Sequence, residues 1–144
     1  MQPNHVQFMS LAIEEAQQAA QTGNYAVGVV ITRANEIVTR GATRVNLTHD
    51  LTDHAEMVAI RQACQKLTVL DFTGFTLYTT FEPCPMCAGA ILWGNFSYLV
   101  FGSRFATFKL RHTYRVEQLR DMVGSSLDIT GGVLEAECDA LANW

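Results

Sequence analysis

The chain has 144 residues, of which 49% are hydrophobic and 17% charged, and its formal net charge at pH 7 is −4. A chain of this length and composition can bury one hydrophobic core, which excludes a disordered or fibrous protein. The longest apolar runs, at residues 25–31 and 98–101, are too short to span a bilayer. Because residues 1–5 also lack the basic start and apolar block of a secretory signal, we expect a cytoplasmic protein without a membrane partner.

Helical periodicity, strand-forming residues and turn residues divide the chain into alternating elements. The predicted helices occupy residues 6–20, 53–67, 84–93, 114–122 and 134 onward. The predicted strands occupy residues 25–32, 37–43, 75–80, 97–101 and 126–130. The first two strands form a hairpin, and from residue 75 strands alternate with helices. This order predicts a single α/β domain over residues 1–144, with parallel strands in its sheet and helices on both faces.

Gly28 lies inside the first predicted strand. A glycine in the interior of a strand often marks a place where another part of the backbone approaches closely. We therefore expect a neighbouring element to pack tightly against this residue.

The spacing of two cysteines predicts a metal site. Cys84 and Cys87 are separated by two residues, so both thiolates can reach one ion from a single helical turn. His54 lies at the start of another predicted helix and would be a third ligand. Two thiolates and an imidazole suit zinc, and three protein ligands leave a fourth coordination position open, as in catalytic zinc sites.

Glu56 adds a proton carrier to these ligands. It lies two residues after His54 and cannot easily share the coordination sphere of the same ion. It can instead stand beside a water molecule, accept its proton and deliver that proton to a substrate nitrogen. A polarising metal, a water molecule and a proton carrier together predict hydrolytic deamination.

Each part of this pattern also has a simpler interpretation. Glu56 follows Asp53 by three positions, which is the spacing of a helix capping box. The two motif cysteines could form a redox pair or half of a structural zinc site. Cys64 and Cys138 are isolated on apolar helix faces, so we interpret them as core residues. The conjunction of His-x-Glu with Pro-Cys-x-x-Cys is more specific than either half and favours the catalytic interpretation.

With these motifs the sequence resembles the zinc-dependent cytidine/deoxycytidylate deaminase superfamily, whose signature is H-x-E…P-C-x-x-C. Residues 54–56 and 83–87 match this signature. Residues 26–30, 49–56, 77–90 and 129–138 are similar to the branch that holds bacterial tRNA adenosine deaminases and guanine deaminases. The resemblance implies a three-layer α/β/α sandwich around a five-stranded mixed sheet, one zinc ion per chain and a homodimer.

The same resemblance implies roles for individual residues. His54, Cys84 and Cys87 would bind the zinc ion, and Glu56 would be the general acid and base. Asn46 matches a loop asparagine that contacts the substrate base in this branch, and the backbone amide of Cys84 would bind the attacking water or the exocyclic group of the base.

Further candidate substrate-binding residues surround these positions. Asp53 stands where the tRNA enzymes have alanine, and either a substrate contact or a helix cap accounts for it. Aromatic side chains are the other candidates, since they could form walls for a flat ring. They are Phe81, Trp93, Phe105, Phe108 and Trp144.

The substrate is predicted from charge and from differences within the branch. The negative net charge favours a small-molecule substrate over a nucleic acid. The C-terminus also lacks the basic and aromatic helix of the tRNA enzymes, which favours the same conclusion. We therefore predict hydrolytic deamination of a purine or pyrimidine base or nucleoside, as in guanine deaminases. The alternative is a tRNA-specific adenosine deaminase, supported by five Lys and Arg residues between positions 104 and 120. A third interpretation is an inactive, zinc-stabilised binding module, against which Glu56 argues.

Overall fold

A computed structural model of the protein describes residues 4–108 and 114–144 and contains a five-stranded sheet in the order β2-β1-β3-β4-β5. The strands are β1 (Gly28–Arg33), β2 (Glu36–Ala42), β3 (Phe75–Phe81), β4 (Tyr98–Ser103) and β5 (Asp128–Thr130). β1 pairs antiparallel with β2 and β3, whereas β4 pairs parallel with β3 and β5. The sheet is therefore mixed, which confirms the prediction.

Helices flank this sheet. Among the described residues they are α1 (His5–Gln21), α2 (Val45–Thr48), α3 (Ala55–Leu67), α4 (Pro85–Trp93), α5 (Phe105–Phe108), α6 (Val116–Met122) and α7 (Glu135–Asp139). Hydrophobic periodicity did not indicate α2 and α5, because each is a single turn of four residues. Within the described ranges, no helix combines the length and the apolar character needed to cross a membrane.

The longer helices cover both faces of the sheet. Side chains alternate along β1, so that Val30 packs with Met9 of α1 on one face and Val29 packs with Ala59 of α3 on the other. α7 adds Cys138 to the α1 face, and α4 lies with α3 on the opposite face. The chain therefore forms the three-layer α/β/α sandwich that the resemblance implies.

The strand directions bring two helix starts together. β2 and β3 both pair antiparallel with β1, which lies between them, so β2 and β3 run in the same direction. The chain consequently leaves both strands at one edge of the sheet. α3 begins after the loop that follows β2, and α4 begins shortly after β3. The residues predicted to bind a metal ion lie at these two helix starts.

Gly28 allows α1 to lie close to the sheet, as predicted. A Cβ atom added at this position would collide with the carbonyl oxygen of Ala12 and lie 2.5 Å from the backbone nitrogen of Ala16. Both obstacles are backbone atoms of α1, which cannot move aside as a flexible side chain would. Only glycine therefore fits at this contact without a shift of the helix or the strand.

Replacing Gly28 with alanine should lower the free energy of unfolding by about 2–4 kcal/mol, because α1 and β1 must separate to admit the methyl group. Urea denaturation measures the change. Gly89→Ala in α4 is the matched control, since its added Cβ would meet nothing within 4 Å, and it should be neutral or stabilising by about 0.5–1 kcal/mol. Equal stability of the Gly28→Ala variant and the wild type would contradict the close approach of α1.

Candidate metal centre and active site

Two predicted metal ligands occupy equivalent places at the starts of α3 and α4. His54 is the N-cap residue of α3 and Cys84 is the N-cap residue of α4, and both have extended backbone conformations. Pro85 occupies the first helical position of α4, where its fixed φ angle favours the start of a helix. Cys87 follows in the first turn of α4. The two helix starts therefore present three soft donor groups to one point.

The donor atoms lie at distances suited to a shared ion. Nδ1 of His54 is 3.5 Å from Sγ of Cys84 and 3.5 Å from Sγ of Cys87. One donor atom from each of the three residues lies within 4.8 Å of the other two. Two sulfur atoms and one imidazole nitrogen at this spacing fit a tetrahedral zinc ion with one position left for a non-protein ligand. The structure thus brings together the three predicted ligands.

The two thiols differ in their affinity for a proton. Hydrogen bonds from Cys87 and His54 hold the pKa of Cys84 at about 4, against the opposing effect of burial. The hydrogen bond to Cys84, together with burial, raises the pKa of Cys87 well above its ordinary value. The metal-free pair therefore holds one thiolate and one thiol, and zinc binding must displace the remaining proton.

Glu56 lies in the first turn of α3 and is buried. Burial raises its pKa to about 7, and the charge of the Cys84 thiolate adds to this effect while His54 opposes it. A bound dication would stabilise the carboxylate, so this elevated pKa describes the metal-free protein. The carboxyl group is therefore close to the metal ligands, as its predicted role requires.

Asp53 does not cap α3, so the capping-box interpretation is wrong. The N-cap residue is His54 instead. The Asp53 carboxylate accepts hydrogen bonds from the hydroxyl of Thr48 at 2.7 Å and from Nη1 of Arg61 at 3.0 Å. These contacts tie the loop before α3 to the body of that helix. A substrate contact by Asp53 stays a prediction, although both carboxylate oxygens already have partners.

Asn46 is exposed on α2, in the same loop. Its backbone N–H donates to Oδ1 of the buried Asn24 at 2.8 Å, and its side-chain Nδ2 donates to the carbonyl oxygen of Gly23 at 2.8 Å. The end of α1 therefore fixes the position of Asn46 relative to the metal ligands. The substrate contact of Asn46 stays a prediction, for which its Oδ1 atom is the acceptor.

The aromatic residues predicted to form walls fall into two groups. Phe81 is the centre of a cluster in which its ring centroid lies 4.8 Å from Phe105, 5.9 Å from Phe108 and 5.1 Å from Trp144. Phe81 begins the segment that leads from β3 to Cys84, so this cluster borders the metal centre. Trp93 is 91% exposed near the far end of α4, about 13 Å along the helix axis from Cys84. The structure therefore does not bring Trp93 to the metal ligands.

The C-terminal residues close one side of this cluster. Oδ1 of Asn143 accepts a hydrogen bond from the backbone nitrogen of Ala26 at 3.0 Å, and its Nδ2 donates to the carbonyl oxygen of Asn24 at 3.1 Å. These two bonds place Trp144 beside Tyr25, with ring centroids 6.4 Å apart. Trp144 is 39% exposed, so part of its ring surface is accessible at the rim of the site.

A buried carboxylate that the sequence patterns did not indicate supports the other side of the site. Glu82 is fully buried at the end of β3 and accepts hydrogen bonds from the backbone nitrogens of Phe105 at 3.0 Å and Val116 at 2.7 Å. Arg104 lies 3.4 Å from the same carboxylate and forms a bidentate pair with Glu117 at 2.9 and 2.7 Å. The sequence signal for this role was a charged residue shortly after the predicted strand at residues 75–80, between Phe81 and Pro83.

Replacing Glu117 with glutamine should lower the free energy of unfolding by about 1 kcal/mol at pH 7, because it breaks the bidentate pair with Arg104. The hydrogen bond from Arg104 holds the pKa of Glu117 at about 2. Since that pKa is depressed, the contribution is complete above the ordinary carboxyl pKa of 4.5 and is lost as the pH falls towards 2.

Urea denaturation between pH 7 and pH 2 tests this expectation. Stability of the wild type should fall more steeply below pH 4.5 than stability of the Glu117→Gln variant. Glu14→Gln is the control, since the exposed Glu14 lies 3.9 Å from Arg40 in a weak surface pair. Parallel pH profiles for wild type and Glu117→Gln would refute a stabilising role for the pair.

Two of the three described basic residues between positions 104 and 120 are engaged in contacts within the protein. Arg104 is paired with Glu82 and Glu117 as described, and Arg120 donates to Asp121 at 2.9 Å and to a backbone carbonyl at 3.2 Å. Arg115 is exposed. Lys109 and Arg111 lie outside the described residues.

Comparison with known protein families identifies this arrangement. The family described as the cytidine and deoxycytidylate deaminase zinc-binding region matches residues 2–103. The chain belongs to this family. It is therefore a zinc-dependent deaminase, a hydrolase that acts on C–N bonds, and the structure positions His54, Cys84 and Cys87 to hold the metal ion. Cys64 and Cys138 instead pack with the hydrophobic core, as predicted.

Two relatives of this deaminase are tRNA enzymes by name. A tRNA-specific adenosine deaminase from Bacillus subtilis is 33% identical over 134 residues, which cover 93% of this chain and 83% of the relative. A chloroplastic tRNA(adenine(34)) deaminase from Arabidopsis thaliana is 44% identical over 96 residues, which cover 67% of this chain. The aligned part is only 7% of that longer plant protein.

Solved structures share the deaminase fold. A chain from a study of A-to-I editing by tRNA:A34 deaminases has a TM-score of 0.77 and 28% identity, and the match covers 94% of this chain and 98% of the other. A guanine deaminase from Bacillus subtilis has a TM-score of 0.71 and 30% identity, with 82% and 75% covered. The fold is thus common to deaminases with different substrates.

The prediction of a guanine-deaminase-type base or nucleoside substrate is wrong. The two curated relatives, at 33% and 44% identity, are tRNA adenosine deaminases, and they support the alternative prediction instead. That prediction rested on net charge and on the difference from the tRNA enzymes at the C-terminus, and net charge does not report which charges lie near the site. In this deaminase Arg104 and Arg120 are engaged in internal contacts, so their presence in the sequence decided nothing about the substrate.

Proposed function

We propose that this deaminase acts on an adenosine in the anticodon loop of tRNA. The observation that carries the proposal is the 33% identity to a tRNA-specific adenosine deaminase over 93% of this chain. The reaction adds water to the carbon that bears the exocyclic amine, breaks the C–N bond and releases ammonia, so that adenosine becomes inosine.

The residues of the metal centre divide the chemistry between them. When bound, zinc lowers the pKa of a water molecule and so supplies a nucleophile near neutral pH. Glu56 takes one proton from this water and delivers it to the ring nitrogen, and it then takes the second proton from the added hydroxyl and delivers it to the departing amine. Its burial beside His54 and Cys84 keeps this proton away from bulk solvent. The backbone amide of Cys84 is proposed to bind the exocyclic group or the attacking water.

Residues at the rim are suited to a base that has been flipped out of its loop. An extruded base is commonly stacked on aromatic side chains. Phe81 and Phe105 are buried and form the floor of the aromatic cluster, while Phe108 and Trp144 are more accessible. We propose that the accessible rings contact the flipped base and that Asn46 hydrogen-bonds its polar edge.

Three further expectations stay predictions. Residues 1–144 are proposed to act as one catalytic domain, in the cytoplasm, where a tRNA substrate would be met. The homodimer implied by the resemblance is also proposed, and sedimentation equilibrium of the zinc-loaded chain would test it.

The proposal is tested by incubating the zinc-loaded protein with a tRNA transcript that carries an anticodon-loop adenosine, and separately with free adenosine, adenine and guanine. We expect inosine in the tRNA and little ammonia from the free compounds. The Glu56→Gln variant should retain zinc and lose about 100- to 10,000-fold in rate, because the proton carrier is removed.

Glu36→Gln, at an exposed position of β2, is the control variant and should behave like wild type. Ammonia release from guanine with no inosine in tRNA would overturn the proposed substrate. Wild-type turnover by the Glu56→Gln variant would instead overturn the proposed role of Glu56, whatever the substrate.

A further inference from the structure

Tyr114 is a polar residue at the site that the reaction as described does not use. Its ring lies beside Phe105, with centroids 5.6 Å apart. Its hydroxyl is buried, and of the buried side-chain nitrogen and oxygen atoms in residues 4–108 and 114–144 it is the one without a hydrogen-bond partner. An unpaired buried hydroxyl is unfavourable, and in native proteins such groups are rare and commonly connected with function.

The ring of Tyr114 extends the aromatic cluster that borders the metal centre, because its neighbour Phe105 also contacts Phe81. Burial raises the pKa of Tyr114, and the charges of Cys84, Glu82, Glu56 and Cys87 raise it further. The electrostatic effect of these charges weakens with distance. Two of these residues are predicted metal ligands and one is the predicted proton carrier, which agrees with the place of Tyr114 in the aromatic cluster beside them. The phenol also stays protonated at neutral pH and can donate a hydrogen bond.

The backbone next to Tyr114 is held firmly. Two residues further on, Val116 donates its backbone N–H to Glu82 at 2.7 Å, and Glu117 forms the bidentate pair with Arg104. Glu82 lies two residues before Cys84, so one buried carboxylate links Tyr114 to the metal-binding helix. A donor fixed in this way needs no rearrangement when charge develops in the transition state.

We propose that the Tyr114 hydroxyl is a catalytic hydrogen-bond donor to the oxygen atom that adds to the base. It finds its acceptor when substrate and water occupy the site, and the bond strengthens as the new C–O bond forms. The choice of tRNA as the assay substrate rests on the proposed function. The chemistry of the proposed role rests only on the deaminase reaction. The alternative is that the ring merely packs against Phe105, in which case phenylalanine would serve equally well.

The Tyr114→Phe variant separates these two roles. We expect kcat for inosine formation to fall about 10- to 100-fold, the effect of one lost hydrogen bond in the transition state, with KM changed less than about twofold. Zinc content should match the wild type. The urea midpoint should be equal or higher, because the substitution removes a buried hydroxyl without a partner. The shape of the pH–rate profile should also be retained, since the phenol stays protonated throughout.

Tyr98→Phe is the matched control. Tyr98 is 47% exposed at the start of β4, at the opposite edge of the sheet from the metal ligands. This variant should retain the kcat, the KM and the urea midpoint of the wild type.

Four results would overturn the proposal. Wild-type kcat in the Tyr114→Phe variant would show that the hydroxyl plays no part, and a change in KM alone would place it away from the reacting atoms. A lower urea midpoint would show that it has a structural partner within the protein. A displaced acid limb of the pH profile would mean that it acts through Glu56. Absence of inosine with wild-type protein would instead refute the tRNA substrate, while the urea comparison still tests Tyr114.

Discussion

The site depends on the meeting of two helix N-termini at one edge of the sheet. His54 and Cys87 are 33 positions apart in the chain, yet their donor atoms lie 3.5 Å from each other. This proximity follows from strand direction, since β2 and β3 run the same way on either side of β1 and release the chain at the same edge. The positive ends of α3 and α4 then face each other across the site. They favour the thiolate form of Cys84, whose pKa is held at about 4, whereas Cys87 loses its proton only when a cation binds.

Hydrogen bonds from the chain itself hold the loops around this centre. Asp53 joins its loop to α3 through Arg61, and Asn143 fixes the C-terminus against the segment after α1. Glu82 is the most deeply buried of these residues. Without its hydrogen-bond donors, a buried carboxylate after β3 would be strongly unfavourable. Its two backbone N–H donors, at Phe105 and Val116, and the side chain of Arg104 remove that cost only when these residues fold against the site. The polar network therefore couples the order of the active-site loops to the folding of the sheet.

Local patterns in the sequence predicted the longer helices, the strands and the metal ligands. Contacts between distant segments decided the features that these patterns did not predict. Periodicity indicated the long helices, Gly28 indicated a close approach, and the motif spacing indicated the metal ligands, since each signal lies within a few residues. The role of Asp53 depends on Thr48 and Arg61 and has no motif of its own. The exposed position of Trp93 follows from the length of α4. The substrate was mispredicted from net charge and from the C-terminal difference from the tRNA enzymes, and net charge carries no information about where individual charges lie.

The central claim is that three side chains, two sulfur and one nitrogen donor, hold the catalytic zinc and leave one position for a small oxygen ligand. X-ray absorption at the zinc edge of the zinc-loaded protein tests this claim directly. We expect two sulfur atoms at about 2.3 Å, contributed by Cys84 and Cys87, and lighter nitrogen or oxygen atoms at about 2.0–2.1 Å that include His54. A shell of four sulfur atoms, or a shell without sulfur, would contradict the claim.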